Sequence, residues 1–283
     1  MKLNFWGGIV MNDKLNMMLI TNNIDIAAYA SACGVTRLFV DLEINGKYER
    51  QGHLDTVISH HSMSDVEAVN KVKGEAELLV RLNPYHIDSE QEINSAIENG
   101  ADIIMLPMFR TIEEVSKFSE LIAGRVKFIP LIETIDAANI VSDIVKIKGV
   151  SEVYFGLNDL HREMGCKFMF EPLQNGCIEA LAKIATDARV PFGFGGIARV
   201  GEGMLPAELI LSEHARLGSS NVILSRTFHR NSTNLDDLKM VMDLQVEVKK
   251  LLDSFNEHIF RKNEKITKDK LLLDETIAAI VNG

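Results

Sequence analysis

Short apolar runs alternate with amphipathic stretches along most of this chain. The runs are LNMMLIT (15–21), TRLFVDLE (36–43), AELLVRLNP (76–84), DIIMLP (102–107), VKFIPLIET (126–134), SEVYFGLND (151–159), VPFGFGGIA (190–198) and NVILSR (221–226). Their length and richness in Val, Ile, Leu and Phe suit parallel strands buried on both faces. Helical patterns fill the intervals at 24–33, 63–73, 89–99, 111–123, 135–147, about 173–188 and 206–217. Ser64 is a candidate N-cap for the second, while Gly34 and Gly100 stop the first and third. Eight β–α units in alternation predict an α/β fold closed into a (β/α)8 TIM barrel.

The pattern divides the chain into a barrel domain over 1–233 and C-terminal helices over 234–283. A long amphipathic helix is expected over Leu235–Asn256, then a Lys-rich link, then a shorter helix ending in ETIAAIV (275–281). This tail is longer than a closing helix needs. It is either a packed extension of the barrel or an arm exchanged between subunits, because an apolar terminal helix needs a surface to bury against. The second alternative predicts a homo-oligomer.

Composition narrows the function. A chain of 283 residues with 46% apolar and 25% charged positions is an ordinary globular protein. Its formal charge of −10 shows no basic face for nucleic acid, so no nucleic-acid partner is expected. The apolar run at the start is too short for a signal peptide, and no stretch approaches membrane-spanning length. Cys33, Cys166 and Cys177 make neither a disulfide framework nor a metal motif. The expectation is a cytoplasmic protein without a membrane partner, with free thiols.

One spacing points to a site. Arg81, Pro107, Glu133 and Asp159 follow one another at intervals of 26 residues, each at or just past the end of an expected strand. In this fold that level is the C-terminal mouth, where active sites lie. Glu133 and Asp159 come from neighbouring strands, and a carboxylate after an apolar strand is costly to bury unless it is paired or binds a cation. Two carboxylates without His or Cys form a hard oxygen site suited to Mg2+ or Mn2+. The alternative is that Asp159 caps the next helix and Glu133 lies at the surface. Arg81 can grip a substrate carboxylate through two hydrogen bonds, or form an internal ion pair with Glu133 or Asp41. Asp41 and Glu43 alternate with Leu42, face the same way, and can orient Arg81 or metal-bound water; a solvated strand exit is the alternative.

The remaining candidates are less sharply defined. Gly195 and Gly196, in FGFGGIA, can let backbone N–H groups approach an anion, as can the LGSS turn (217–220), or they can serve tight packing. Gly156 of FGLNDL is grouped with them as a substrate-binding position. Arg199, Arg226 and Arg230 lie nearby in sequence, either as anion ligands or as surface residues. His53, His60 and His61 follow the second strand, and a general base at neutral pH is often His. His53 is the leading catalytic candidate, solvated loop histidines being the alternative, and His161 is expected to support Asp159.

PLIET, FGLNDL, the arginine of VRLNP and VDLE together resemble the HpcH/HpaI aldolase and citrate lyase β-subunit family, of the phosphoenolpyruvate/pyruvate barrel superfamily. The resemblance spans about residues 15–230. It implies a metal-dependent carbon–carbon lyase of aldolase type, acting on a 2-oxo acid or related enolisable anion or acyl substrate. Glu133 and Asp159 would hold the metal, and Arg81 would bind the substrate carboxylate or stabilise the enolate. Ile44 stands where HpaI-type aldolases carry His, and Leu131 where they carry Gln. The citrate lyase side would place Asp after DLE, which this chain does not. The segment INGKYERQGHLDTVISHH (44–61) is therefore expected to carry the base and set the substrate. FGLNDL is also similar to related barrels that use phosphoenolpyruvate, and a non-catalytic barrel that retains the metal is a third alternative.

Overall fold

The structure is a computed structural model that describes residues 14–44, 61–229, 232 and 234–283. Eight parallel strands close into a barrel in sequence order: β1 (Asn16–Ile20), β2 (Arg37–Asp41), β3 (Glu77–Arg81), β4 (Ile103–Leu106), β5 (Lys127–Ile132), β6 (Val153–Phe155), β7 (Phe192–Ile197) and β8 (Asn221–Leu224). The helices following the first five strands are α1 (Ile24–Ala32), α2 (Met63–Asn70), α3 (Ser89–Glu98), α4 (Ile112–Ile122), and the pair α5 (Ile135–Asn139) and α6 (Val141–Ile144). After β6 come α7 (Leu157–Glu163), α8 (Glu171–Gln174) and α9 (Cys177–Asp187), and after β7 comes α10 (Ala207–Leu217). Three helices end the chain: α11 (Leu235–Val241), α12 (Leu244–Ile259) and α13 (Asn263–Asn282). No helix among the described residues is long and apolar enough to cross a membrane.

The two faces of each strand serve two cores. Met18, Phe39, Leu79, Ile103, Met105, Ile129, Leu131 and Tyr154 fill the barrel interior. The alternate residues pack outward under the helices. Inside the barrel, the Tyr154 hydroxyl donates to the Gly195 carbonyl at 2.6 Å and accepts the Ile223 N–H at 3.0 Å. This phenol spans the place where β7 bulges against β8, between Gly193 and Gly196. Gly193 must lack a side chain there, since a Cβ would stand 2.6 Å from the Tyr154 ring.

The N-terminal end of the barrel is closed by a charge-balanced plug. Arg37 grips Glu152 through Nη1 at 2.8 Å and Nη2 at 2.6 Å, and donates through Nε to Glu77 at 3.0 Å. Lys127 adds a second cation on Glu77. Asn221 donates to Glu152 at 2.9 Å and accepts from Asn16 at 2.8 Å. With that end internally satisfied, the chemistry is left to the opposite mouth.

Several boundaries differ from the sequence reading. The second strand ends at Asp41, so Glu43 lies beyond it. The run 151–159 is not one strand: β6 has three residues, and Asp159 lies in the first turn of α7. The apolar run continued past Phe155 because Leu157 and Leu160 form the buried face of a helix. The helix expected over 135–147 breaks at Ile140, and that near 173–188 begins at Glu171 and breaks before Gly176, whose φ is +84°. Ser62, not Ser64, caps α2, its N–H bonding Asp65 at 2.7 Å.

The tail departs most. The expected helix 235–256 is two helices broken at Met242, and the Lys-rich link belongs to α13, the longest helix described. Leu244, Val248, Leu251 and Phe255 of α12 and Leu273 and Ile277 of α13 join the outer core. Arg261, between them, donates to the Ser212 carbonyl of α10 at 2.7 Å and to Asp269 of α13 at 3.0 Å. The tail thus packs on its own barrel, while Val246, Leu271 and Leu272 stay exposed.

Candidate active site

At the mouth, β2 and β3 run in a register that sets Asp41 beside Arg81. Arg81 donates through Nε to Asp41 Oδ1 at 2.9 Å and through Nη2 to Oδ2 at 2.8 Å, a two-point grip. Nη2 also lies 3.3 Å from Glu43 Oε2. Phe39 lies beneath the guanidinium, 5.7 Å away. Burial works against the charge of Arg81, but Asp41, Glu43 and Glu133 override it and hold the group protonated well above the ordinary arginine range. The ion pair weighed from sequence is therefore made with Asp41, extended to Glu43, and not with Glu133. Among the described residues Nη1 has no hydrogen-bond partner, so one edge of the guanidinium is left for a ligand.

Glu133 follows β5 directly and is 3% exposed. Its Oε1 accepts the Met108 N–H at 3.0 Å. Met108, just past β4, holds φ at +54°, a left-handed conformation costly for a side-chain-bearing residue. Asp159, in the first turn of α7, lies near enough to act on the Glu133 charge. Among the described residues, neither the Asp159 carboxylate nor Glu133 Oε2 has a hydrogen-bond or ion-pair partner. Burial pushes the Glu133 carboxyl up to about 8, with Glu43 and Asp159 pushing the same way and Arg81 and the Met108 N–H opposing. Gly156 makes the room: a Cβ there would stand 2.8 Å from Glu133 Cβ and 3.0 Å from its Oε2.

The electrostatics of the two barrel ends differ. At the closed end Arg37 and Lys127 balance Glu77 and Glu152. At the mouth Arg81 faces Asp41, Glu43 and Glu133, and Asp159 acts on Glu133. Burying the Glu133 carboxylate beside other acids is costly, as its raised pKa shows. Among the described residues no group of three or more His, Cys, Asp or Glu has metal-binding geometry, so Glu133 and Asp159 are the candidate donors that remain. Two hard oxygen donors and a cleared space at Gly156 fit a divalent cation completed by water and substrate oxygens.

The other candidates fall into three groups. Gly195 and Gly196 lie on the bulged part of β7; the Gly195 carbonyl is engaged by Tyr154, and a Cβ at 195 would meet Leu157 at 2.9 Å. His161 donates through Nδ1 to the Leu157 carbonyl at 2.9 Å, within its own helix. Arg199 is paired with Glu202, and Arg226 is exposed. His53, His60 and Arg230 lie outside the described residues. His61 is described: its Nδ1 accepts the Asp41 N–H at 3.0 Å, which leaves Nε2 to carry the proton of the neutral ring.

Three features were not anticipated from the sequence. The first is the Met108 N–H on Glu133. The second is a chain in which Asn83 accepts the Ile44 N–H at 2.9 Å and donates to Glu92 at 2.6 Å, with His86 Nε2 3.2 Å from Glu92. The third is Arg110, which bonds Asp136 of α5 and Glu163 of α7. A signal for the last was present: Arg110 and Asp136 are also 26 residues apart, three past Pro107 and Glu133.

A closed parallel barrel with acidic residues and an anchored arginine at its C-terminal mouth has the architecture of barrel enzymes whose active sites lie at that end. The chain belongs to the HpcH/HpaI aldolase/citrate lyase family, whose model matches residues 15–194. Similar solved structures include an HpcH/HpaI aldolase/citrate lyase family protein from Burkholderia cenocepacia J2315, with TM-score 0.61 and 15% identity over 82% of this chain and 96% of that one. An HpcH/HpaI aldolase from Desulfitobacterium hafniense DCB-2 matches with TM-score 0.59 and 16% identity over 75% and 86%. The citrate lyase beta subunit from M. tuberculosis, solved with oxaloacetate and magnesium, matches with TM-score 0.57 and 12% identity over 88% and 98%. No curated protein matches the chain significantly.

Proposed function

We propose that this protein is a divalent-metal-dependent carbon–carbon lyase of aldolase type that acts on a small 2-oxo acid. The observation that carries the reading is buried Glu133 close to Asp159, its Oε2 and the Asp159 carboxylate making no hydrogen bond or ion pair among the described residues. The magnesium and oxaloacetate of the tuberculosis homologue support the same class of ligand. Glu133 and Asp159 would hold Mg2+ or Mn2+, which when bound supplies Lewis acidity toward the oxygens of a 2-oxo acid.

The chain's own residues do the rest. Arg81 presents its Nη1 edge to the substrate carboxylate or to the oxygen that gains charge as the C–C bond breaks. Asp41 and Glu43 hold that guanidinium still, so its donors need no rearrangement during reaction. His61, anchored on the Asp41 N–H, stands beside this arginine cluster, and the segment it ends, with His53, is assigned the proton transfer. The backbone of Gly156, Gly195 and Gly196 is assigned to substrate contact. The exposed apolar residues of α12 and α13 are assigned to contact between copies of the chain in a cytoplasmic homo-oligomer.

Proton–deuterium exchange at the pyruvate methyl group, followed by NMR, tests the activity. Exchange should require Mg2+ or Mn2+, stop on addition of a chelator, and fall at least about 100-fold in Glu133→Gln. Metal-loaded protein that exchanges no 2-oxo acid, or a Glu133→Gln variant with undiminished exchange, would overturn the assignment.

A further inference from the structure

Three consecutive residues after β4 each bind a different part of the neighbouring units. The Met108 N–H bonds Glu133 at 3.0 Å. The Phe109 carbonyl accepts the Thr134 hydroxyl at 3.0 Å. Arg110 donates through Nη1 to Asp136 at 2.8 Å and through Nη2 to Glu163. Glu163 also accepts the Ile135 N–H at 2.8 Å. One short segment thus holds the strand end that carries Glu133 and the far end of α7, the helix that carries Asp159.

Asp159 depends on this anchorage. Its carboxylate is not fixed by a hydrogen bond of its own among the described residues. Its place is set by α7, which has only seven residues and no side-chain N-cap bond. A helix so short does not hold itself in water. Its acidic last residue also opposes the helix dipole and needs an external partner. Leu157 and Leu160 bury one face, and Arg110 with the Ile135 N–H pins the last turn.

We propose that Arg110 is a positioning residue for the cation: by tying Glu163 to the β5 exit it sets the separation of Asp159 from Glu133. The inference rests on the metal site proposed above and deepens it by assigning how that site selects its ion. Arg110 and Asp136 are half exposed, at 48% and 55%, so their ion pair contributes little to global stability. Its effect falls on geometry. Mg2+ demands near-ideal octahedral ligands at about 2.0–2.1 Å, whereas Ca2+ accepts looser spheres at about 2.3–2.6 Å. Slackening α7 therefore penalises Mg2+ more than Ca2+.

The test uses the full chain and three variants: Arg110→Met, Glu163→Gln and the double. Mn2+ is titrated by electron paramagnetic resonance, Mg2+ and Ca2+ are ranked by competition, and metal-free unfolding is followed by calorimetry. Each single change should weaken Mg2+ about 10-fold and Ca2+ less than about 3-fold. The metal-free Tm should move by less than about 2 °C, and the double variant should be no weaker than the worse single. If the wild type binds Mn2+ and Arg110→Met keeps its Mg2+/Ca2+ ratio, the inference fails and the metal site stands. Equal loss of both ions with a fall in Tm would show a merely structural role. A wild type that binds no Mn2+ would overturn the site and the inference together.

Discussion

A methyl group at position 156 would press on both the Cβ and Oε2 of Glu133, at 2.8 and 3.0 Å. The φ of Gly156 is −82°, which any residue adopts, so glycine is required there for space and not for conformation. Gly156→Ala should keep the barrel folded by circular dichroism and weaken Mn2+ at least about 10-fold, because the displaced carboxylate can no longer meet the ion. Unchanged affinity would show that Oε2 is not a ligand. At this scale the sequence was informative wherever a charge follows an apolar run. Arg81, Asp41, Glu43 and Glu133 stand out because burying their charged groups demands a reason. Met108 did not stand out. It acts through a backbone N–H, which every non-proline residue has, and its left-handed φ is imposed by the turn.

The elements were legible where one periodicity dominates. All eight strands fall within the expected runs, because residues buried on both faces give unbroken apolar stretches. Boundaries were lost where two apolar periods abut, as at Phe155–Leu157, where a buried strand hands over to the buried face of a helix. The C-terminal break escaped for a related reason: the apolar positions of α11 and α12 continue across Met242. Bulges were invisible as well. The shift between β7 and β8 is held by Tyr154, whose hydroxyl serves the Gly195 carbonyl and the Ile223 N–H. Tyr154→Phe strips both buried groups of their partner and should cost about 1–3 kcal/mol in urea unfolding. A loss below about 0.3 kcal/mol would mean that the glycines alone maintain the bulge.

At the scale of the whole molecule, the barrel resolves its two ends differently. The closed end pairs its acids with Arg37 and Lys127, while at the open end Arg81 pairs with Asp41 and Glu43 and faces Glu133. That asymmetry was only half visible in the sequence. The 26-residue register located the mouth, but it set Asp159 on a strand and left α7 unread. The docking of α12 and α13 on α10 was equally hidden, since it depends on Arg261 bridging Ser212 and Asp269 across distant parts of the chain. The proposed function reads the open end as an acid-lined mouth that takes up a cation. The most direct measurement is anomalous diffraction from crystals soaked with Mn2+ and oxalate, a non-reacting stand-in for the enolised acid. The account predicts one strong peak within about 2.3 Å of a carboxylate oxygen of both Glu133 and Asp159, with oxalate oxygens completing the sphere. Manganese found elsewhere, or those two side chains turned apart in its presence, would contradict it.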